Sequence, residues 1–321
     1  MTHRANGLAK LPPAIFLVGP TASGKTELAF ALCREFPCEI ISVDSAQVFR
    51  DMNIGTAKPD ATTLAKYPYR LIDLIDPTER YSAARFCTDA LAAMKEITDL
   101  GRIPLLVGGT MLYVKALREG LAELPVADAN VRTAIELDAK TRGWPAMHAE
   151  LARLDAATAA RLKPTDSQRI QRALEVIQIS GRAMSSIFSE QSATPLPYQC
   201  LALALIPSSR AELHQRIANR FDAMLENGLV DEVIALRKKY SLSDDLPSMR
   251  CVGYRQVWEM LEGTASKIEM RERGVFATRQ FAKRQLTWLR SMPEMETLDA
   301  LDVEMTSMAK ARVAEFLASW C

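Results

Sequence analysis

The chain has 321 residues, 48% of them hydrophobic and 25% charged, with a formal net charge of +1. That composition fits an ordinary globular protein of one large or two ordinary domains, and excludes a disordered or fibrous chain. The near-zero charge excludes a global basic field, so a nucleic-acid partner would have to be held by local patches, and the longest apolar runs, such as LALALI, are too short to cross a bilayer.

In chain order, MTHRANGLAKLPPA lacks the long apolar stretch of a secretory signal, and residues 1–13 read as a short tail. AIFLV (14–18) reads as a short buried strand, followed by a glycine-rich loop and a helix through about Arg34. EIISV (39–43) is a second strand and RLIDLI (70–75) a third. Ser82 is placed to cap a helix whose apolar positions Cys87, Ala90, Leu91, Met94 and Ile97 recur at helical spacing, and Gly101 ends it. IPLLV (103–107) is another buried strand, followed by GGT. Short apolar strands alternating with amphipathic helices predict an α/β fold with a parallel sheet covered on both faces, its first part over 14–120.

From 121 to 197 strand-like runs vanish. Asp128 and Asp166 stand at N-cap positions, and Gly143 and Gly181 at stops, so this stretch is expected to be an all-helical insertion. CLALALI (200–206) returns to a buried strand, and the core resumes over 198–321. Beyond that strand the chain reads as helical, with capping-box patterns SRAE (209–212) and SKIE (266–269). The six cysteines (33, 38, 87, 200, 251, 321) include no C-x-x-C pair, and the three histidines are scattered. Free thiols in a reducing cytoplasm are expected, without a cysteine or histidine metal site.

GPTASGKT (19–26) has the spacing of a phosphate-gripping loop. Gly19 and Gly24 permit a tight turn with inward N–H groups, and Pro20, Thr21, Ala22 and Ser23 complete the cradle. The following helix N-terminus adds positive dipole. Lys25 is placed to reach terminal phosphate oxygens, and the Thr26 hydroxyl to hold Mg²⁺. The ligand is left open by the loop alone: most such loops bind ATP or GTP, and Asp44 at the end of IISVD would suit the metal-binding aspartate of a small-molecule kinase.

Other blocks narrow the choice: DSAQVFR (44–50), MNIGTAKP (52–59), DPTERYSAARF (76–86), GGTMLYVKAL (108–117), DSQR (166–169), RCVGYRQ (250–256) and ATRQFAKRQLTWLR (277–290). Together, in this order, they resemble the tRNA dimethylallyltransferase family, bacterial type, from about residue 14 to 290. Phe49 stands where members often have tyrosine, and Met111 where many have a third small residue. The resemblance implies a P-loop NTPase-like core with a helical insertion. It also implies transfer of a dimethylallyl group from dimethylallyl diphosphate to the N6 amine of adenosine 37 in tRNA, with diphosphate released. ATP would not be needed, since the loop would grip the prenyl donor. Mg²⁺ is the expected cofactor, and a cytoplasmic monomer the expected form.

Breaking an allylic carbon–oxygen bond puts negative charge on the diphosphate, which the loop amides, Lys25 and a Thr26-held Mg²⁺ are suited to stabilise. Arg220 is a candidate further cation, or else an exposed helix arginine. The adenine amine is a poor nucleophile, and a carboxylate accepting its proton would help. Asp44, at a strand's carboxyl end, is the candidate base, with Mg²⁺ coordination the competing role. Thr110 could hydrogen-bond the base or the diphosphate, or cap the next helix. The adenine has to be splayed from the anticodon stack to react. The helix starting at DSQR offers Ile170, Ala173, Leu174 and Ile177 to a core and leaves Gln168, Arg169 and Arg172 polar. RERGVFATRQFAKRQLTWLR (271–290) holds six Lys or Arg against one Glu, with Arg279, Lys283 and Arg290 close to one helical face, a local basic patch of the required kind. The resemblance implies a tRNA-facing set of Asp44, Ser45, Ala46, Gln47, Thr110, Arg132, Gln168, Arg169, Ile170, Gln171, Arg172, Arg250, Cys251, Val252, Gly253, Tyr254, Arg255, Lys283, Arg284, Gln285, Trp288 and Arg290. Trp288 also reads as a core anchor, and Cys251 is not a candidate nucleophile.

Overall fold

A computed structural model describes residues 10–122, 124–190 and 195–320; residues 1–9 of the predicted tail and Cys321 lie outside them. The chain divides into two compact units, Met1–Arg118 with Leu196–Cys321, and Glu119–Pro195.

The first unit begins β1 (Pro13–Val18), α1 (Lys25–Glu35), β2 (Cys38–Val43), α2 (Ala61–Lys66), β3 (Tyr69–Arg70), α3 (Ala83–Asp99), β4 (Ile103–Gly108) and α4 (Met111–Glu119). The second unit holds α5 (Ala129–Arg142), α6 (Trp144–Leu154), α7 (Ala156–Ala159), α8 (Ser167–Ser180) and α9 (Met184–Glu190). The first then resumes with β5 (Gln199–Ile206), α10 (Arg210–Glu226), α11 (Leu229–Lys239), α12 (Tyr254–Leu261), α13 (Lys267–Arg290), β6 (Glu296–Asp299) and α14 (Met305–Trp320).

The six strands among the described residues are all parallel, in the order β3-β2-β4-β1-β5-β6. β1 is buried along its whole length, as a near-continuous apolar run requires in a two-sided sheet. Its residues divide by alternation: Ala14, Phe16 and Val18 pack with α3 and α4, and Ile15 and Leu17 with α1 and α14. A third core joins α10, α11, α12 and α13 to the segment after β2, through Val48, Phe49, Met52, Phe221 and Tyr254.

Two sequence expectations are corrected. The third strand is only Tyr69–Arg70, because Leu71 and Asp73 take left-handed φ values of 63° and 53°, which break extended pairing. Asp73 instead pairs with the Lys58 ammonium at 2.6 Å, and Ile75 makes an isolated bridge to Phe49. The C-terminal part is not wholly helical: β6 extends the sheet beside β5. A four-residue edge strand of sequence ETLD, with one buried side chain, carries almost no periodic signal.

In the helical unit, Asp128 caps α5 and Asp166 caps α8, while Gly143 and Gly181 follow the ends of α5 and α8. Its core is built from Ile135, Leu151, Ile170, Ala173 and Leu174. Glu175 is completely buried there and accepts from Arg132, Arg172 and the Asp128 amide.

Candidate active site

The phosphate loop joins β1 to α1 at the carboxyl end of the sheet. β1 is flanked by β4 and β5, the arrangement in which open α/β sheets bind ligands. Gly19 has no room for a side chain: a Cβ there would lie 2.6 Å from the Leu205 carbonyl oxygen of the next strand. Ser23 is buried, and its hydroxyl makes no hydrogen bond among the described residues. Lys25 folds back so that its ammonium donates to the Pro20 carbonyl at 2.6 Å. Burial, and then the Arg220 guanidinium, lower its pKa to about 7, against the opposing pull of Asp44 and Glu27.

Asp44 leaves β2 in a turn. Its Oδ1 accepts from the Ala46 amide at 2.8 Å and the Gln47 amide at 3.3 Å, so one oxygen orients the carboxylate and the other is left for a ligand. Thr110, at the end of β4, reaches across: its hydroxyl accepts from the Ser45 amide at 3.0 Å. The Thr110 carbonyl meanwhile accepts from Tyr113 in the first turn of α4. Thr110 therefore anchors the turn that carries Asp44, with its side chain engaged outside its own helix. Gln47 is fixed by the Ser42 hydroxyl at 2.8 Å.

A cavity of about 420 Å³ opens over these groups. Thr21, Lys25, Thr26, Asp44 and Arg220 are among its polar lining, and Ile217, Phe221, Met224, Val252 and Phe281 among its apolar lining. Arg220 makes no ion pair among the described residues. Burial lowers its pKa, against the nearby carboxylates of Asp44 and Glu27. Gln285 of α13 closes the loop side, accepting from the Thr21 amide at 2.9 Å and donating to the Gly109 carbonyl at 2.8 Å. A Cβ on Gly109 would meet that amide nitrogen at 2.2 Å. Cationic, hydroxyl, carboxylate and apolar groups thus share one cavity, which can take a ligand that joins an anionic group to an apolar one.

The other residues singled out from sequence fall into distinct environments. Ser45, Ala46, Gln47, Arg250, Cys251, Val252 and Arg284 line the cavity. Gln168, Arg169, Lys283 and Arg290 are exposed. Arg169 lies 2.8 Å from Asp166 of its own cap, Gln171 donates to Glu136 at 2.8 Å, and Arg255 pairs with Glu259 at 2.9 Å. Six expectations of RNA contact meet buried or committed side chains. Ile170 and Tyr254 are fully buried, Ile170 in the helical core and Tyr254 with its hydroxyl on Glu232. Gln285 is buried and spent on the loop, and Trp288 packs against the sheet core. Arg132 and Arg172 are held on Glu175 at 3.0 and 2.7 Å. Gly253 is a turn residue with φ of 93°. Burial, with Asp44 nearby, raises the Cys251 thiol to about 12, so it is no nucleophile at neutral pH.

Sequence reasoning missed the apolar wall. Its signal was present in RIANRFDAM, where Ile217, Phe221 and Met224 recur at helical spacing beside Arg220. Among the described residues no group of three or more His, Cys, Asp or Glu could hold a metal. Thr26 and Asp44 line one cavity and are hard oxygen donors, which fits a divalent cation that keeps several waters and binds chiefly through substrate phosphates.

The sheet order, the loop after β1 and the carboxylate after β2 define a P-loop α/β protein whose site takes a phosphorylated ligand. Residues 47–292 match the family model for IPP transferase, and residues 13–72 that for isopentenyl transferase. The chain belongs to the IPP transferase family, the tRNA dimethylallyltransferases. It is 60% identical over 310 residues to the tRNA dimethylallyltransferase of Dechloromonas aromatica, covering 97% of this chain and 99% of that one. It is 61% identical over 307 residues to the protein of the same name from Thiobacillus denitrificans, covering 96% and 98%. Its fold is similar to the crystal structure of tRNA isopentenylpyrophosphate transferase from Bacillus halodurans, with TM-score 0.69, 33% identity and 97% of each chain covered. It is also similar to a eukaryotic dimethylallyltransferase acting on tRNA, with TM-score 0.80 and 27% identity, covering 96% of this chain and 80% of that one.

Proposed function

We propose that this enzyme transfers a dimethylallyl group from dimethylallyl diphosphate to the N6 amine of adenosine 37 in tRNA. The observation that supports this most directly is one cavity lined both by Lys25, Thr26 and Arg220 beside the phosphate loop and by the apolar side chains of Ile217, Phe221, Met224 and Phe281.

The donor diphosphate lies in the loop, where backbone N–H groups, Lys25 and Arg220 stabilise the charge that grows as the carbon–oxygen bond breaks. Thr26, with Asp44 through water, would hold Mg²⁺, which supplies further charge neutralisation on the diphosphate. The apolar wall encloses the allyl group and keeps water from the electron-poor carbon. The N6 amine attacks that carbon, diphosphate leaves, and the free oxygen of Asp44 accepts the amine proton. Thr110 and the Ala46 and Gln47 amides hold the carboxylate in place for this. The RNA is held by the exposed Gln168, Arg169, Arg250, Lys283, Arg284 and Arg290, and the enzyme works as a cytoplasmic monomer.

The test is direct. Incubation with Mg²⁺, unmodified tRNA and dimethylallyl diphosphate, followed by nucleoside digestion and mass spectrometry, is expected to give N6-dimethylallyladenosine. Absence of that product, with ADP formed from ATP and a metabolite, would overturn the assignment in favour of a kinase.

A further inference from the structure

α13 changes character along its length. In its first half the arginines are neutralised: Arg271 grips both oxygens of Asp222 at 2.6 Å, and Arg273 lies 3.5 Å from Glu259 and 3.6 Å from Glu269. In its second half Arg279, Lys283, Arg284 and Arg290 make no ion pair among the described residues. The unpaired charge continues across the seam onto the neighbouring helix. The helices run antiparallel there: Asp222 near the end of α10 meets Arg271 near the start of α13, and Ile217, earlier on α10, lines the cavity with Thr278 and Phe281, further along α13, a register that brings His214 level with Arg279.

Arg210 is exposed and donates to His214 Nε2 at 3.4 Å. The Nε of Arg279 is buried and makes no hydrogen bond among the described residues. Burial, and then the charges of Arg279 and Arg210, hold the His214 pKa below its ordinary value. The N-terminus of α10 adds the positive end of a helix dipole. Neither Arg210 nor Arg279 makes an ion pair among the described residues, although Glu212 stands in the same first turn of α10, so two guanidinium charges are left for an arriving anion. The group lies outside the cavity lining, so it is not part of the donor diphosphate site. Arg279, Lys283 and Arg290 share one face, and helical rise carries that face over about 16 Å. That span is longer than a single diphosphate and suits an extended polyanion.

We infer that Arg210, His214 and Arg279 form an accessory site for the RNA phosphate backbone, extending the basic surface of α13 onto α10. The inference rests on the tRNA reading above. Each phosphate contact lowers the slope of log affinity against log salt by about 0.7–0.9 when it is lost.

The experiment compares Arg210→Gln, Arg279→Gln and the double variant with the parent enzyme. It measures the Kd for unmodified tRNA over a salt series, together with the KM for dimethylallyl diphosphate. Expected is a tRNA Kd about 5–20-fold weaker in the double variant, with a salt slope shallower by about one to two contacts and the main effect on tRNA rather than donor. A Kd and slope within twofold of the parent overturns the inference, as does a raised donor KM with tRNA binding intact. Arg210 is exposed, so Arg210→Gln decides the matter if Arg279→Gln melts early. A parent enzyme that prenylates tRNA while the variants bind normally sinks this site alone, whereas a parent that makes no prenylated adenosine sinks the functional reading.

Discussion

Asp44 and Lys25 are separated by the chemistry each can perform. One oxygen of Asp44 is tied to backbone amides, which fixes the carboxylate, and the proposed base role falls to the second. Replacing Asp44 with Ala is expected to lower kcat by about 10²–10⁴-fold, the usual worth of a positioned base, with tRNA affinity changed only a few-fold. A large loss of affinity with turnover retained would contradict the base assignment. Lys25 in the free enzyme is held at about 7 by desolvation and Arg220, so above that pH it is largely neutral. A bound diphosphate favours the ammonium form, so donor binding takes up a proton above neutral pH. Affinity should then fall as pH rises past about 7, by up to tenfold per pH unit. Calorimetry at pH 8 in two buffers of different ionisation heat is expected to show uptake approaching one proton. Lys25→Met is expected to abolish it, and equal uptake in that variant would refute the assignment.

The seam between α10 and α13 sets the cavity wall, and a glycine lets it close. Gly274 sits mid-helix, where alanine is worth about 1 kcal/mol more in helix propensity. Yet a Cβ there would lie 2.0 Å from the ring of Phe221. Overpacking of this kind costs roughly 1–3 kcal/mol or more, and the clash is with a rigid ring, so the steric cost wins over propensity. Gly274→Ala is therefore expected to lower the Tm by several degrees. It should also reduce kcat/KM, because Phe221 and Arg220 are neighbours on α10 and move together. A variant as stable and active as the parent would show that the seam can repack. The same helix carries Gln285, whose two hydrogen bonds tie the phosphate loop to the turn after β4. α13 thus lines the cavity from one face and carries exposed basic side chains on another.

At the scale of the whole molecule the net charge is +1, so attraction to RNA comes from local asymmetry. Lys283→Ala with Arg284→Ala removes two exposed, unpaired cations from α13. Binding of unmodified tRNA is expected to weaken about 10-fold or more at moderate salt, with the salt slope shallower by up to about 1.5. Unchanged binding would remove this helix from the interface. Since Arg284 also lines the cavity, donor KM measured alongside separates the two contributions.

Local sequence determined the phosphate loop, the strands of the sheet centre, the caps at Ser82, Asp128, Asp166 and Ser266, and the helical character of the middle stretch. In each case the cause is short-range: backbone turns, capping hydrogen bonds and apolar periodicity are written within a few residues. It also placed Asp44 and Thr110 at strand ends, because a strand's end can be read without knowing its neighbours. Tertiary structure alone decided the rest. That Arg220, some 200 residues from Lys25, faces the same cavity depends on the strand order that brings α10 beside the loop. Whether a polar side chain in a basic or amphipathic stretch is free or spent depends on partners far along the chain. Glu175 claims Arg132 and Arg172, Glu232 claims Tyr254, and the Thr21 amide with the Gly109 carbonyl claims Gln285. Periodicity shows which face of a helix is polar, but burial and hydrogen bonding are set by whatever packs against that face.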